Sequence, residues 1–209
     1  MTTYGKLMFA LISAWFALAF AASALGVFHT DPNQPPLPLL LAVLTPIILF
    51  VVWYFASKSF REFILSLNPA TLTLVQSWRI AGFVFLALYT YHILPGILAL
   101  PAGWGDIFIG TTALFVATKW ANPDHRTSFI VWQFLGIADL VAAIAMGAGA
   151  GFLTTQAVTG EPMTLLPLSL IPVFAVPFCL ILHFISIAQA RRWPRESRMP
   201  ATSSQSLGV

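Results

Sequence analysis

The feature that most constrains the fold is a series of long apolar stretches that recurs along nearly the whole chain. Hydrophobic residues make up 58% of the sequence and charged residues 8%, against about 25% charged residues in a typical soluble domain. An apolar helix of about 20 residues crosses a hydrocarbon core about 30 Å thick. The sequence therefore predicts an all-α, polytopic membrane protein with six transmembrane helices. We place them at residues 6–27, 38–57, 72–93, 102–119, 129–149 and 167–189.

The six segments predict one transmembrane domain, residues 1–190, followed by a tail. The tail, residues 191–209, is basic at first and then polar, a composition typical of disordered segments. The first segment follows Lys6 and contains small residues at 21–24, so a cleaved signal peptide is the alternative to a retained helix. We favour retention, because the apolar region of a signal peptide is shorter, about 7–15 residues.

A short amphipathic stretch separates the second and third segments. Apolar residues recur at helical spacing between residues 58 and 67, and charged residues lie on the opposite face. This pattern predicts a short interfacial helix between helices two and three that ends at Asn68 and Pro69. An ordinary connector is the favoured interpretation, and a helix that senses lipid or binds a partner is the alternative.

The basic residues predict an orientation. In the six-helix arrangement every Lys and Arg outside the apolar segments falls on one side, and the loops on the other side contain none. Because cytoplasmic loops are enriched in Lys and Arg, we expect cytoplasmic N- and C-termini and a location in the cell (cytoplasmic or plasma) membrane. The expected partner is the lipid bilayer and not nucleic acid, although the net charge is +3. The sequence leaves the oligomeric state open.

Three charged residues lie inside the apolar segments, where a charge costs roughly 2.5–3.5 kcal/mol at a helix centre. They are Arg79, Asp106 and Asp139, in the third, fourth and fifth segments. We take the stretch ILPGILALPAGWG as a turn or a re-entrant dip, which puts Asp106 near the outer end of its segment. Arg79 then falls in the inner third and Asp139 near the middle. We therefore expect a staggered series of charges, in which Asp139 is the favoured functional residue.

The residues around the two aspartates indicate contacts between helices. Asp106 and Asp139 each follow a glycine by three positions and precede a small residue by four, on one helical face. Small residues allow helices to pack closely, so both carboxylates are expected to face another helix and not lipid. Two interpretations of Arg79 stay open: it binds an anionic group or Asp139, or it extends to the inner headgroups.

Two further polar residues complete the candidate substrate- or ion-binding side chains. Gln76 lies one turn before Arg79, and His183 lies in the inner half of the sixth segment. His183 is interpreted as a buried histidine with satisfied hydrogen bonds, or as a proton carrier that meets Arg79 across the bundle. The buried histidine with satisfied hydrogen bonds is the favoured interpretation.

No motif predicts a metal site or a cofactor, and we expect neither. His29 and His92 fall near outer helix ends and are the only candidate metal ligands, but their spacing matches no ligand pattern. A single cysteine excludes a CxxC pair. The chain also lacks Walker, HExxH and GxSxG motifs, and it has no GxGxxG between a strand and a helix.

These patterns favour a small proton- or cation-coupled transporter or permease, with an intramembrane aspartate as the coupling site and a small molecule or an ion as the substrate. One alternative is an intramembrane enzyme that modifies lipids, with Asp106 or Asp139 as acid or base and His92 beside Asp106. The other is a non-catalytic membrane component whose charges fix the packing of helices. We favour a role without catalysis, and the sequence leaves the enzyme alternative open.

Overall fold

The computed structural model describes residues 3–29, 36–153 and 161–194, and every regular element in these ranges is helical. The α-helices are α1 (Thr3–Ala24), α2 (Leu37–Ala56), α3 (Lys58–Leu65), α4 (Pro69–Val75), α5 (Phe83–Thr90), α6 (Gly96–Phe115), α7 (Arg126–Leu153) and α8 (Val176–Ala190). Short 3₁₀ segments cover Gln76–Gly82, Pro123–His125 and Glu161–Thr164, and π segments cover Val116–Trp120 and Ile171–Ala175.

Six helical stretches are long and apolar enough to cross a membrane. We call them the first to sixth spans: Tyr4–Ala24, Leu37–Ala56, Pro69–Thr90, Gly96–Trp120, Pro123–Gly147 and Ile171–Ala190. The predicted all-α fold with six spans is confirmed, and it indicates a multi-pass membrane protein. The cytoplasmic location of the termini stays a prediction. Residues 195–209 of the predicted tail lie outside the described residues.

The sixth span forms the centre of the bundle. Buried residues occur along the whole of α8, from Val176 to Ala190, whereas Val43 alone is buried in α2. The first span contacts the bundle through aromatic rings, such as Trp15 on Phe174 at a centroid distance of 4.7 Å, and through Ala19, which is buried beside Val173. The first two spans are therefore peripheral, and the other four surround the polar residues.

The predicted short helix is present as α3, and its apolar stripe packs against protein. Phe60 and Ile64 are buried against the sixth span, and the Phe60 ring stacks on Trp53 at 4.1 Å. The Ser57 hydroxyl caps α3 by accepting from the backbone N–H of Phe60 at 3.2 Å. This packing positions α3, while its location in the membrane interface stays a prediction.

The third span is not a continuous α-helix. It changes at Gln76 into a 3₁₀ segment and returns to α-helix after Gly82. A 3₁₀ helix has three residues per turn, so residues three apart lie in line. Gln76, Arg79 and Gly82 therefore share one face, and all three are buried. A Cβ at Gly110 of α6 would overlap the backbone of this segment, which shows how closely the two helices approach.

Candidate functional site

Arg79 lies near the middle of the third span and is only 2% exposed. Its Nε donates to Oδ1 of Asp106 at 2.7 Å, and its Nη2 donates to Oδ2 of Asp139. Its Nη1 lies 3.3 Å from Nε2 of His183. The guanidinium therefore contacts the fourth, fifth and sixth spans, one through each nitrogen. We call these four residues the Arg79 cluster.

The expected staggered series of charges is wrong, because Arg79 binds both aspartates at once. The cause is the start of the fourth span. Helix α6 begins at Gly96 and continues through Pro101, so most of the stretch predicted as a turn is helical. Asp106 consequently lies ten residues after the start of its span, about 15 Å along an α-helix. Arg79 likewise lies ten residues after Pro69, the first residue of its span.

The alternative in which Arg79 extends to the inner headgroups is also wrong, because the side chain is buried and has three partners. The expectation that both carboxylates face another helix is confirmed by the same contacts. Glycines make room for them. A Cβ at Gly105 would overlap the carboxylate of Asp139, and a Cβ at Gly82 would overlap the side chain of Asp106. The sequence places small residues where the charged side chains pass between helices.

His183 is fully buried and has a partner on each ring nitrogen. Arg79 has only donors, so Nε2 of His183 must accept from it. A neutral imidazole then carries its hydrogen on Nδ1, which donates to Oε1 of Gln133. The ring fits against Gly136, where a Cβ would overlap it, and beside Trp132 at a centroid distance of 5.8 Å. The interpretation of His183 as a buried histidine with satisfied hydrogen bonds is therefore confirmed. His183 also meets Arg79 across the bundle, while its role as a proton carrier stays a prediction.

Gln133 and Thr73 belong to the same network but are not among the residues predicted from the sequence. Nε2 of Gln133 donates to Oγ1 of Thr73 at 3.3 Å, and Oγ1 of Thr73 donates to the carbonyl of Pro69 at 2.9 Å. Both side chains are buried. Gln133 has no signal in the spacing, whereas Thr73 has one, because every third residue from Thr73 to Arg79 is polar. This is the period of the 3₁₀ segment that follows.

Gln76 is buried beside the Arg79 cluster and connects the third span to the sixth. Its Nε2 donates to the carbonyl of Cys179 at 3.3 Å. Its Oε1 has no hydrogen-bond partner among the described residues. The structure therefore brings together Arg79, Asp106, Asp139 and His183 through direct contacts and leaves Gln76 one turn away, with an acceptor available.

The two candidate metal ligands do not join the Arg79 cluster. His29 and His92 are exposed, and His92 has a positive φ of 58° in the turn between α5 and α6. Within residues 3–29, 36–153 and 161–194, no group of three or more His, Cys, Asp or Glu side chains could hold a metal ion. Asp106 pairs with Arg79, and no hydrogen bond joins it to His92, the acid–base partner that the lipid-modifying alternative gives it, in the described part of the chain.

The formal charges in the Arg79 cluster do not balance. One guanidinium faces two carboxylates, and His183 adds no positive charge while its Nε2 accepts a hydrogen bond. With both carboxylates ionised the sum is −1. The side chains of Asp106 and Asp139 are 17% and 16% exposed, whereas that of Arg79 is 2% exposed. Chemically, this arrangement can take up one proton or one monovalent cation at the carboxylates.

Six apolar spans, four of which surround a buried cluster of one arginine, two aspartates and one histidine, indicate a multi-pass membrane protein with a polar site inside its helical bundle. The chain belongs to the family described as Domain of unknown function (DUF8737), whose model matches residues 35–191. The matched range contains the second to sixth spans and the whole Arg79 cluster, and it omits the first span. No curated protein and no solved structure matches the chain.

Proposed function

We propose that this protein is a small proton- or cation-coupled transporter of the cell membrane, in which Asp106 and Asp139 form the coupling site. The observation that carries the proposal is the unbalanced charge of the Arg79 cluster. An uncompensated charge in the apolar part of a bilayer is costly, and intramembrane carboxylates are typical of proton and ion pathways. Binding one proton or one monovalent cation would bring the cluster to neutrality.

The arrangement of the two carboxylates supports the same proposal. Asp106 and Asp139 are held by nitrogens of one guanidinium, so their oxygens lie near each other. Two neighbouring carboxylates repel each other when both are ionised. The repulsion is relieved when the two groups share a proton, as in aspartic proteases. A bound cation would relieve it in the same way. We expect the pair, and not either residue alone, to be the binding unit.

The backbone beside the site provides a means of coupling binding to movement. The third span passes from α-helix into a 3₁₀ segment that contains Arg79, and a 3₁₀ stretch within a helix often marks a functional hinge. Protonation of one carboxyl would weaken its attraction to Arg79. The fourth and fifth spans, which carry the carboxylates, would then be free to shift relative to the third.

The experiment is a current measurement on the purified full chain reconstituted into liposomes adsorbed to a solid-supported membrane. We expect a transient current after a rapid jump in proton or sodium concentration. Asp139→Asn and Asp106→Asn should each abolish it, because the remaining aspartate and Arg79 form a balanced pair. Asp124→Asn should preserve it, because Asp124 is exposed in the 3₁₀ segment Pro123–His125 at the very start of the fifth span.

Other outcomes separate the alternatives. An unchanged current in Asp139→Asn would contradict the proposal. If no form gives a current and Asp139→Asn unfolds more readily, the charges serve helix packing in a non-catalytic component. Turnover of lipid in the liposomes that is lost in Asp106→Asn would instead favour a lipid-modifying enzyme.

A further inference from the structure

A series of buried hydrogen bonds leads away from Arg79 on the side opposite to the carboxylates. It runs from Nη1 of Arg79 to Nε2 of His183 at 3.3 Å, and from Nδ1 of His183 to Oε1 of Gln133. It continues from Nε2 of Gln133 to Oγ1 of Thr73 at 3.3 Å and ends at the carbonyl of Pro69, 2.9 Å from that hydroxyl. The series links the middle of the third span to its first residue by way of the sixth and fifth spans.

The direction of this series is fixed by its two ends. The guanidinium of Arg79 can only donate, and the carbonyl of Pro69 can only accept. Each histidine, glutamine and threonine side chain between them can donate on one side and accept on the other. All four hydrogen bonds therefore point the same way, from Arg79 toward Pro69. This assignment also sets the tautomer of His183 and the orientation of the Gln133 amide.

Burial makes the series hard to rearrange. Thr73, Gln133 and His183 are each at most 1% exposed, so a broken hydrogen bond there is not replaced by bulk water. Hydrogen bonds that point the same way also polarise one another in a medium of low dielectric constant. The His183 ring also packs against Gly136 and lies beside Trp132, both on α7. The acceptor offered to Arg79 is consequently fixed in place.

We infer that Thr73 and Gln133 are positioning residues for the proposed site. They hold His183 as the tautomer with a hydrogen on Nδ1, so that Nε2 accepts from Arg79. This contact orients the guanidinium so that its remaining nitrogens face Asp106 and Asp139. The effect on proton or cation binding rests on the proposed function, whereas the tautomer does not.

The tautomer is tested by nitrogen NMR of the imidazoles in the reconstituted full chain. The signal of His183 is identified by its loss in His183→Gln. We expect a protonated Nδ1 and a bare Nε2. A hydrogen on Nε2 instead, or an imidazolium with hydrogens on both nitrogens, would overturn the inference whatever the transport measurements show.

The positioning role is tested by comparing two buried glutamines. Gln133→Met removes a member of the series, whereas Gln189→Met removes a buried amide that donates at 2.7 Å to the carbonyl of Leu67, outside the series. The quantity compared is the proton or sodium concentration that gives a half-maximal current. We expect Gln133→Met to shift it on the order of tenfold, because that is the scale of one lost buried hydrogen bond. Gln189→Met should leave this concentration unchanged even where it lowers stability.

Thr73 offers a conservative rescue. Thr73→Val removes the hydroxyl and should shift the half-maximal concentration in the same direction as Gln133→Met, but less, because it acts one hydrogen bond further from Arg79. Thr73→Ser keeps the hydroxyl and should restore the original value. Equal responses of Gln133→Met and Gln189→Met would overturn the inference. If the unmodified chain gives no current, the proposed function fails, and the tautomer alone then decides the inference.

Discussion

The two sides of the Arg79 guanidinium differ in both charge and exposure. On one side are two carboxylates that are partly exposed, 17% for Asp106 and 16% for Asp139. On the other side are neutral groups that are almost completely buried, beginning with His183 and Gln133. With both carboxylates ionised, the charged side has one negative charge in excess, and this is the charge that the proposed function assigns to binding a proton or a cation. On the neutral side each donor of the series has one acceptor, so these residues can only hold the guanidinium in place.

This difference indicates how one buried arginine can be held firmly on one side and still leave room for a ligand to bind at the carboxylates on the other. A buried ion pair contributes to stability only if its geometry is good and its remaining donors are satisfied. The neutral side satisfies the Nη1 donor without adding charge. The carboxylate side is then left with the excess charge that a ligand can neutralise. Substitutions on the two sides should therefore differ in their effects on stability and on the current.

The largest effect is expected when the arginine itself is removed. Arg79→Leu leaves two carboxylates in the bundle with no cation, and breaking a buried pair in this way costs about 3–5 kcal/mol of the free energy of unfolding. The measurement is reversible unfolding by sodium dodecyl sulfate in mixed micelles. Arg192→Leu is the matched control, because Arg192 is exposed beyond the end of α8.

The same unfolding measurement tests whether Arg79 and Arg192 differ in their contribution to stability. Equal losses for Arg79→Leu and Arg192→Leu would mean that the carboxylates do not depend on Arg79. Adding Asp106→Asn and Asp139→Asn to Arg79→Leu should recover part of the lost stability, because the uncompensated charges are then gone. No recovery would place the cost in packing and not in charge.

The sequence predicts the spans well, because a membrane helix needs about 20 apolar residues and that requirement is visible in the composition of a window. It also identifies the three charged residues, since charges in such windows are rare. Their common depth is harder to predict, because depth depends on where each helix begins. The stretch ILPGILALPAGWG contains two prolines and three glycines, a composition typical of a turn. Its helical conformation depends on tertiary contacts with the third span.

The neutral side of the site is harder still to predict from sequence. Thr73 and Gln133 are uncharged, so hydropathy gives no reason to expect a functional role. Their importance comes from contacts across the bundle between residues that are distant in the chain. Gln133 and Thr73 are 60 residues apart, and His183 and Gln133 are 50 residues apart. The change from α to 3₁₀ helix at Gln76 also leaves no mark in the apolar pattern. What the sequence does contain is the three-residue spacing of polar residues up to Arg79.

A smaller effect is expected from the glycine that makes room for Asp139. A Cβ in Gly105→Ala would overlap the Asp139 carboxylate, so either the side chain or helix α6 must move. Overpacking of this kind typically costs about 1–3 kcal/mol. Gly147→Ala is the control, since the nearest atom to its new Cβ would be Leu98 Cδ1 at 3.9 Å, an ordinary contact. Unfolding of both variants in mixed micelles gives the difference, and equal stabilities would show that the carboxylate side is loosely packed.

The smallest effect is expected at an ion pair that lacks burial. Lys58 and Glu62 lie one turn apart on α3 with a separation of 3.9 Å, and their side chains are 81% and 62% exposed. Exposed pairs of this kind contribute little, so Glu62→Gln should change the free energy of unfolding by less than about 0.5 kcal/mol. Asp106→Asn changes a carboxylate in the same way but inside the bundle, and it should also abolish the current, whereas Glu62→Gln should leave it intact. If Glu62→Gln cost as much stability as Arg79→Leu, pairing alone would explain the effect at Arg79. Burial and the excess charge would then have no special part in it.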